Sequence, residues 1–384
     1  MIQTIDCLVL SGGGAKGAYG AGVAKALTVS QQAAGMQRSM CYIGTSAGAL
    51  NAAVLASADT DTLLRFWTRA TSQSILGTRV KSVSVRYAAK FLSKLFSVYG
   101  NTGLRELVAS AVNYGTVVQR KAHLIIAATN YTSSALRAFY ISELIDQFVQ
   151  LDALLPPNEQ RMSHFRAIDS QNKLENCLLA SAAIPLFFPP VQIDGDWYVD
   201  GGIGNHTPTR EAAYFLRHCA TNNVAQPGVV YCVKQDPPRA FQDTSKLNAS
   251  EILKRTLEIY HYIHTEPIVH AWSRINEEVR DHETRMNRFS KWLAKQPISP
   301  KLQATIDKRF REELGKLGGA TARHQLELIE IEPSDALGDT LDFDRKRIRK
   351  TIERGYLDTL NVLKIKGMDS SLHQKLVNQP LFGK

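Results

Sequence analysis

The sequence predicts a three-layer α/β fold, with a mostly parallel central sheet between helices and a helical insertion late in the chain. Three observations predict it. Apolar or β-branched strands alternate with alanine-rich helices, glycine clusters stand at strand-to-helix junctions, and one long charged stretch interrupts the pattern. Ile5 to Leu10 reads as a strand that ends at Ser11-Gly12-Gly13-Gly14, and Ala15 to Leu27 then favours a helix. The same order repeats with strand Cys41-Tyr42-Ile43, turn Gly44 to Gly48 and helix Ala49 to Ala58. Downstream, His123 to Ala128 reads as a buried strand and Leu174 to Ala183 as a helix stopped near Pro185. Asp194-Gly195-Asp196 between Val191-Gln192-Ile193 and Trp197-Tyr198-Val199 signals a hairpin. Val229 to Val233 is another buried strand, Leu326 to Ile331 a further one, and Phe343 to Leu363 a closing helix. The segment between them, from about Arg239 to Gly319, carries charged helical patterns at Glu251 to Ile263 and Lys301 to Leu317. The expected division is therefore a core at 1–238, a helical insertion at 239–322 and a C-terminal strand and helix at 323–384 that complete the core.

Composition narrows the class. The chain has 384 residues, 44% hydrophobic and 21% charged, which excludes disorder, collagen and coiled coil and leaves ample material for a core. Cys7, Cys41, Cys177, Cys219 and Cys232 are scattered without a CxxC pair, so no disulfide framework or structural zinc site is expected. The opening MIQTIDCLVL has neither the basic start nor the long apolar stretch of a secretory signal and reads as a cytoplasmic product. Ser39 to Ala58 is uncharged for 20 residues, but its glycines, Thr45, Ser46, Asn51 and Ser57 suit a strand, turn and helix better than a membrane span.

Two glycine motifs carry the chemistry. Gly12 to Gly17 satisfies GxGxxG, yet no Asp or Glu occurs between Cys7 and Ala58 to bind a ribose, and Lys16 is followed by Gly17 rather than the Ser or Thr of a P-loop. What remains is a set of backbone N–H groups suited to an anion or an oxyanion. Gly44-Thr45-Ser46-Ala47-Gly48 is GxSxG between a strand and a helix, the setting in which a sharp turn lifts a serine hydroxyl out of the backbone. Only one strand-helix unit precedes Ser46, which argues against the usual hydrolase triad and for oxyanion donors supplied by the first glycine loop. Asp200-Gly201-Gly202 sets a carboxylate at a strand end, and a partly desolvated carboxylate can serve as base for a serine. His206, six residues on, is the competing base.

Together these residues resemble the patatin-like phospholipases: SGGGAKG at Ser11 to Gly17, GTSAG at Gly44 to Gly48, ASAAIPLFFPPV at Ala180 to Val191 and DGG at Asp200 to Gly202, in that order. The resemblance spans Ile2 to about Val233 and extends to Leu328 to Leu363, leaving the insertion unexplained. It implies a lipid acyl hydrolase of phospholipase A type with a Ser–Asp dyad. Ser46 would be the nucleophile, Asp200 the base, and Gly13, Gly14 and Ala15 the oxyanion hole, with Gly12, Lys16, Gly17, Gly44, Gly48, Gly201 and Gly202 shaping the loops. Many members carry Arg where Lys16 stands, and a second Asn is common at the place of His206. The implied substrate is a phospholipid or other acyl lipid, with no cofactor and no catalytic metal. Two alternatives stay open: an acyltransferase on the same site, and a membrane-associated module latent until a protein or small-molecule activator opens it.

The net charge of +10 is unevenly spread, with no Asp or Glu from Thr62 to Arg105. On a helix, Arg86, Lys90 and Lys94 fall on one side and Phe91 joins an apolar stripe, an arrangement fit for an anionic membrane surface or for an ordinary cap helix. Nucleic acid is not an expected partner. His261, His264, Glu266 and His270 lack an HExxH pattern and are interrupted by Pro267, so no metal is assigned to them.

Overall fold

A computed structural model describes residues 3–76, 97, 100–236, 284–318 and 326–382, with scattered positions between 256 and 280. The sheet is built as the alternation predicts. β1 (Thr4–Leu10) is an interior strand, parallel to β2 (Ser39–Thr45) on one side and to β8 (Gln226–Val233) on the other. β3 (His123–Asn130) adds in parallel beyond β2, and β9 (Glu327–Ile331) in parallel beyond β8. The full order is β5-β4-β3-β2-β1-β8-β9, where β4 (Ala135–Ile141) runs antiparallel to β3 and β5 (Phe165–Ala167) parallel to β4. β6 (Val191–Ile193) and β7 (Asp196–Val199) form the expected hairpin, and β7 pairs antiparallel with the end of β3. Asp194 and Gly195 both have positive φ, 51° and 90°, as a two-residue hairpin turn requires.

Alternation along β1 divides the interior into two cores. Leu8 and Leu10 face one side, where α1 (Ala18–Ala33), α2 (Ala47–Ser57), α3 (Thr60–Arg69) and the helices Thr102–Ala111, Gln171–Ser181 and Arg345–Ile365 pack. Ile5, Cys7 and Val9 face the other, against the helices Glu143–Ala153 and Thr209–Thr221. Two covered faces explain why the strands read as near-continuous apolar runs. α1 and the helix Arg345–Ile365 touch backbone to backbone, since a Cβ on Gly22 would stand 1.9 Å from the Ile352 carbonyl oxygen. That docking brings the segment between β9 and the last long helix back over the N-terminal glycine loop.

Ser39 to Ala58 forms β2 and α2, and among the described residues no helix is long and apolar enough to cross a membrane. All five cysteines are buried and none is in a disulfide. Part of the insertion packs on the core: Trp272 is buried, and its indole N–H and the Asn276 amide both donate to the Leu326 carbonyl, at 3.0 and 2.8 Å. Arg86, Lys90, Phe91 and Lys94, proposed above for membrane contact, lie outside the described residues, as do His261, His264, Glu266 and His270. Among the described residues, no group of three His, Cys, Asp or Glu side chains is arranged to hold a metal ion.

Candidate active site

β1 and β2 end side by side, and the two glycine motifs meet there. Ser46 sits between β2 and α2 with φ 55° and ψ −125°, a backbone conformation that side chains other than glycine adopt only under strain. Two groups hold it. The Ser46 N–H donates to Ser181 Oγ at 2.8 Å, and the Ser181 hydroxyl donates onward to the Ala127 carbonyl at 2.6 Å. Gly48 lets the elbow reach β1, because a Cβ there would stand 2.1 Å from the Leu10 carbonyl oxygen and 2.5 Å from that of Ser11. Gly48→Ala should therefore lower stability by about 1–3 kcal/mol, read from the midpoint of chemical unfolding, since both obstacles are backbone and cannot step aside.

The glycine loop is anchored to the elbow helix from below. Buried Asn51 on α2 donates to the Gly17 carbonyl at 2.8 Å and accepts from the Trp67 indole N–H at 2.6 Å. Within the loop the donors differ. Gly12 N–H donates to the His206 carbonyl at 3.2 Å and Ala15 N–H to the Thr340 carbonyl at 2.7 Å. Among the described residues the N–H groups of Gly13 and Gly14 have no acceptor. Thr340 belongs to the strap between β9 and the helix Arg345–Ile365, and its carbonyl oxygen would lie 2.2 Å from a Cβ on Gly14, whose φ is 58°.

Asp200 follows β7 and is 6% exposed. Its N–H donates to the Ala183 carbonyl at 2.9 Å, its own carbonyl accepts the Thr129 hydroxyl at 2.9 Å, and Oδ1 accepts the Gly202 N–H at 2.7 Å. Oδ2 has no hydrogen-bond partner of ordinary length among the described residues. Burial pushes the carboxyl up to about 6, against the lowering by the nearby Ser46 hydroxyl and the Gly202 N–H. A carboxylate with that value is ionised at neutral pH and close enough to it to exchange protons.

Two cavities share Ser46 and Gly14 as a common wall. One is a cleft with about 700 Å³ of empty space, part of it open to solvent, and Gly12, Gly13, Lys16, Asp200, His206 and Asp236 are among its lining residues. Lys16, 5% exposed, pairs with Asp236 at 2.6 Å. The other has about 450 Å³ of empty space, also partly open to solvent, and is walled by apolar side chains, among them Leu50, Phe66, Trp67, Ile75, Leu104 and Phe343. Leu341 of the strap and Ile184 border both.

A family model described as Patatin-like phospholipase matches residues 8–213. The chain belongs to the patatin-like phospholipase family. The matched stretch holds the glycine loop, Ser46 and Asp200, so the family assignment and the cleft concern the same residues. Among solved structures this patatin-like chain is similar to VipD from Legionella pneumophila, at 13% identity and a TM-score of 0.37, covering 95% of this chain and 67% of that one. Comparison with curated protein sequences gave no match.

Of the residues singled out in the sequence, Gly12, Gly13, Gly14, Lys16, Ser46, Asp200 and His206 come together in the cleft, while Gly17, Gly44, Gly48, Gly201 and Gly202 shape the loops around it. Sequence reasoning missed Ser181, Thr340 and Gln235. Gln235, 1% exposed, donates its amide to the Ser11 carbonyl at 2.8 Å and places Oε1 where a Cβ on Gly13 would stand, 1.9 Å away. It stands two residues beyond β8, next to the partner of Lys16, a pairing that no local pattern in the sequence announces.

Proposed function

We propose that the chain is a lipid acyl hydrolase of phospholipase A type that works through a Ser46 acyl-enzyme with Asp200 as base. The observation that carries this reading is the position of Ser46 on the wall between an apolar cavity and a cleft containing a buried carboxylate and unengaged backbone donors. The acyl chain enters the apolar cavity and the head group with its glycerol stays in the cleft. Ser46 Oγ attacks the ester carbonyl carbon as its proton passes to Asp200. The N–H groups of Gly13 and Gly14 stabilise the oxyanion, and collapse expels the alcohol, which takes the proton back from Asp200. Water then attacks the acyl-enzyme as its proton passes to Asp200, and collapse breaks the bond to Ser46 Oγ, which takes that proton back and releases the fatty acid.

The direct test is fatty acid released from mixed-acyl phospholipid vesicles by the wild type and by Ser46→Ala, with each chain followed separately. Release that disappears in the variant supports the reading, and equal release from both proteins contradicts it. The apolar cavity makes a second expectation. Ile75→Trp or Leu104→Trp, which fill its wall, should shift the ratio of kcat/KM for a long against a short acyl ester by at least about tenfold toward the short one, since each lost methylene contact is worth ~1 kcal/mol or more.

One observation favours a second reading, a site held latent. The third donor expected of the oxyanion hole, Ala15 N–H, is occupied by the Thr340 carbonyl. In that reading the wild type reacts slowly with a fluorophosphonate and loosening the strap by Leu341→Gly speeds the reaction.

A further inference from the structure

A second buried carboxylate lies behind the cleft. Glu211, in the first turn of the helix Thr209–Thr221, is fully buried, and neither it nor its partner Asn205 lines the cleft. Glu211 Oε2 accepts from Asn205 Nδ2 at 2.7 Å, and Oε1 faces His164 Nε2 and Arg210 Nη2, both at 3.3 Å. Burial pushes the carboxyl up, but the His164 hydrogen bond and the Arg210 charge pull it further down, so Glu211 stays ionised at neutral pH.

Asn205 ends the single helical turn that follows Asp200 and bridges to both other loops. Its carbonyl accepts the Thr45 hydroxyl at 2.8 Å, one residue before Ser46, and the carbonyl of the next residue, His206, accepts the Gly12 N–H at 3.2 Å. Asn205 is 6% exposed, and its Oδ1 has no hydrogen-bond partner among the described residues. A buried amide with an unsatisfied oxygen beside a buried ion costs stability that well-packed apolar side chains would not. The pair therefore makes poor sense as packing and good sense as a clamp.

We propose that Glu211 and Asn205 are positioning residues that fix the Asp200 turn against the Ser46 elbow and the glycine loop. This rests on the reading of Ser46 and Asp200 given above. The pair touches no substrate, so it acts on the spacing of nucleophile, base and oxyanion donors, where a displacement near 1 Å costs on the order of 100-fold in rate. Its removal should lower turnover and leave substrate affinity largely intact.

The experiment compares wild type, Asn205→Ala, Glu211→Ala and Glu211→Gln by the rate of fluorophosphonate labelling, by kcat and KM on a soluble aryl ester, and by thermal midpoint. Asn205→Ala and Glu211→Ala should lower labelling and kcat by roughly 10- to 100-fold with KM within about twofold. Glu211→Gln keeps an acceptor for Asn205 Nδ2 and should recover to within about threefold of wild type. Should Glu211→Ala fail to fold, Thr45→Val provides the same readout by removing the hydroxyl that reaches the Asn205 carbonyl, with an expected loss of about tenfold in kcat. If Asn205→Ala and Thr45→Val are labelled at the wild-type rate, or lose rate only in proportion to their folded fraction, the proposal is wrong while the dyad stands. If the wild type is no more reactive than Ser46→Ala, the dyad reading fails and the proposal falls with it.

Discussion

Ser46→Ala is expected to abolish ester hydrolysis, by roughly 10⁴-fold or more in kcat, with the fold retained. The size follows from the chemistry. Without a hydroxyl at this position no acyl-enzyme forms, and what remains is the acceleration that the oxyanion donors and substrate binding give to attack by water. The fold should be indifferent. The N–H of residue 46 still donates to Ser181 Oγ, and alanine tolerates the positive φ no worse than serine does. A circular dichroism spectrum and thermal midpoint close to wild type, combined with lost turnover, is the expected outcome. Residual activity above about one tenth of wild type would move the nucleophile elsewhere.

Asp200→Asn is expected to lower kcat by about 10²- to 10⁴-fold and to raise stability at the same time. Both effects come from the same burial. The carboxyl is raised from 3.8 to about 6, so the folded state holds a proton more tightly than the unfolded chain does. The stability of the protonated form is fully present below pH 3.8, is lost as pH rises through about 6, and stays lost at neutral pH. The loss is on the order of 3 kcal/mol for a shift of this size. Asparagine carries no charge to desolvate, and its Oδ1 can still accept the Gly202 N–H, so Asp200→Asn should melt higher than wild type at pH 8 and nearly level with it at pH 4. In the wild type, kcat/KM should rise with pH and reach half its plateau near 6, because the base works only when ionised. His206 faces the same cleft, and the experiment separates the two candidates. A His206→Ala enzyme that is dead beside an Asp200→Asn enzyme that is fully active would make histidine the base.

What the sequence made legible were local patterns with a mechanical meaning. GxSxG between a strand and a helix announced the elbow, and DGG at the end of Trp197 to Val199 announced the carboxylate, because each is a short turn whose glycines have geometric work within a few residues. Asp194-Gly195 gave away its hairpin for the same reason. β4 went unread: ALRAFYI at Ala135–Ile141 carries Arg137 in mid-strand and stands five residues from β3, so it lacks the clean apolar run of its neighbours. The supports of the site were illegible for a different reason. Ser181 reaches Ser46 across 135 positions, Asn205 reaches Thr45 across 160, and Gln235 reaches Ser11 across 224, with nothing in the local sequence to foretell the pairing. Thr340 is the extreme case, a main-chain carbonyl brought to Ala15 by the packing of the last long helix on α1, and no side-chain identity signals it.

The most direct test of the account is the site of covalent modification. Wild-type protein would be incubated with a fluorophosphonate or a slowly hydrolysed acyl ester, digested, and mapped by mass spectrometry. The account predicts one adduct, on the peptide containing Ser46, absent from Ser46→Ala and formed more slowly in Asp200→Asn. An adduct on another residue, or fatty acid released at full rate with Ser46 unmodified, would contradict it.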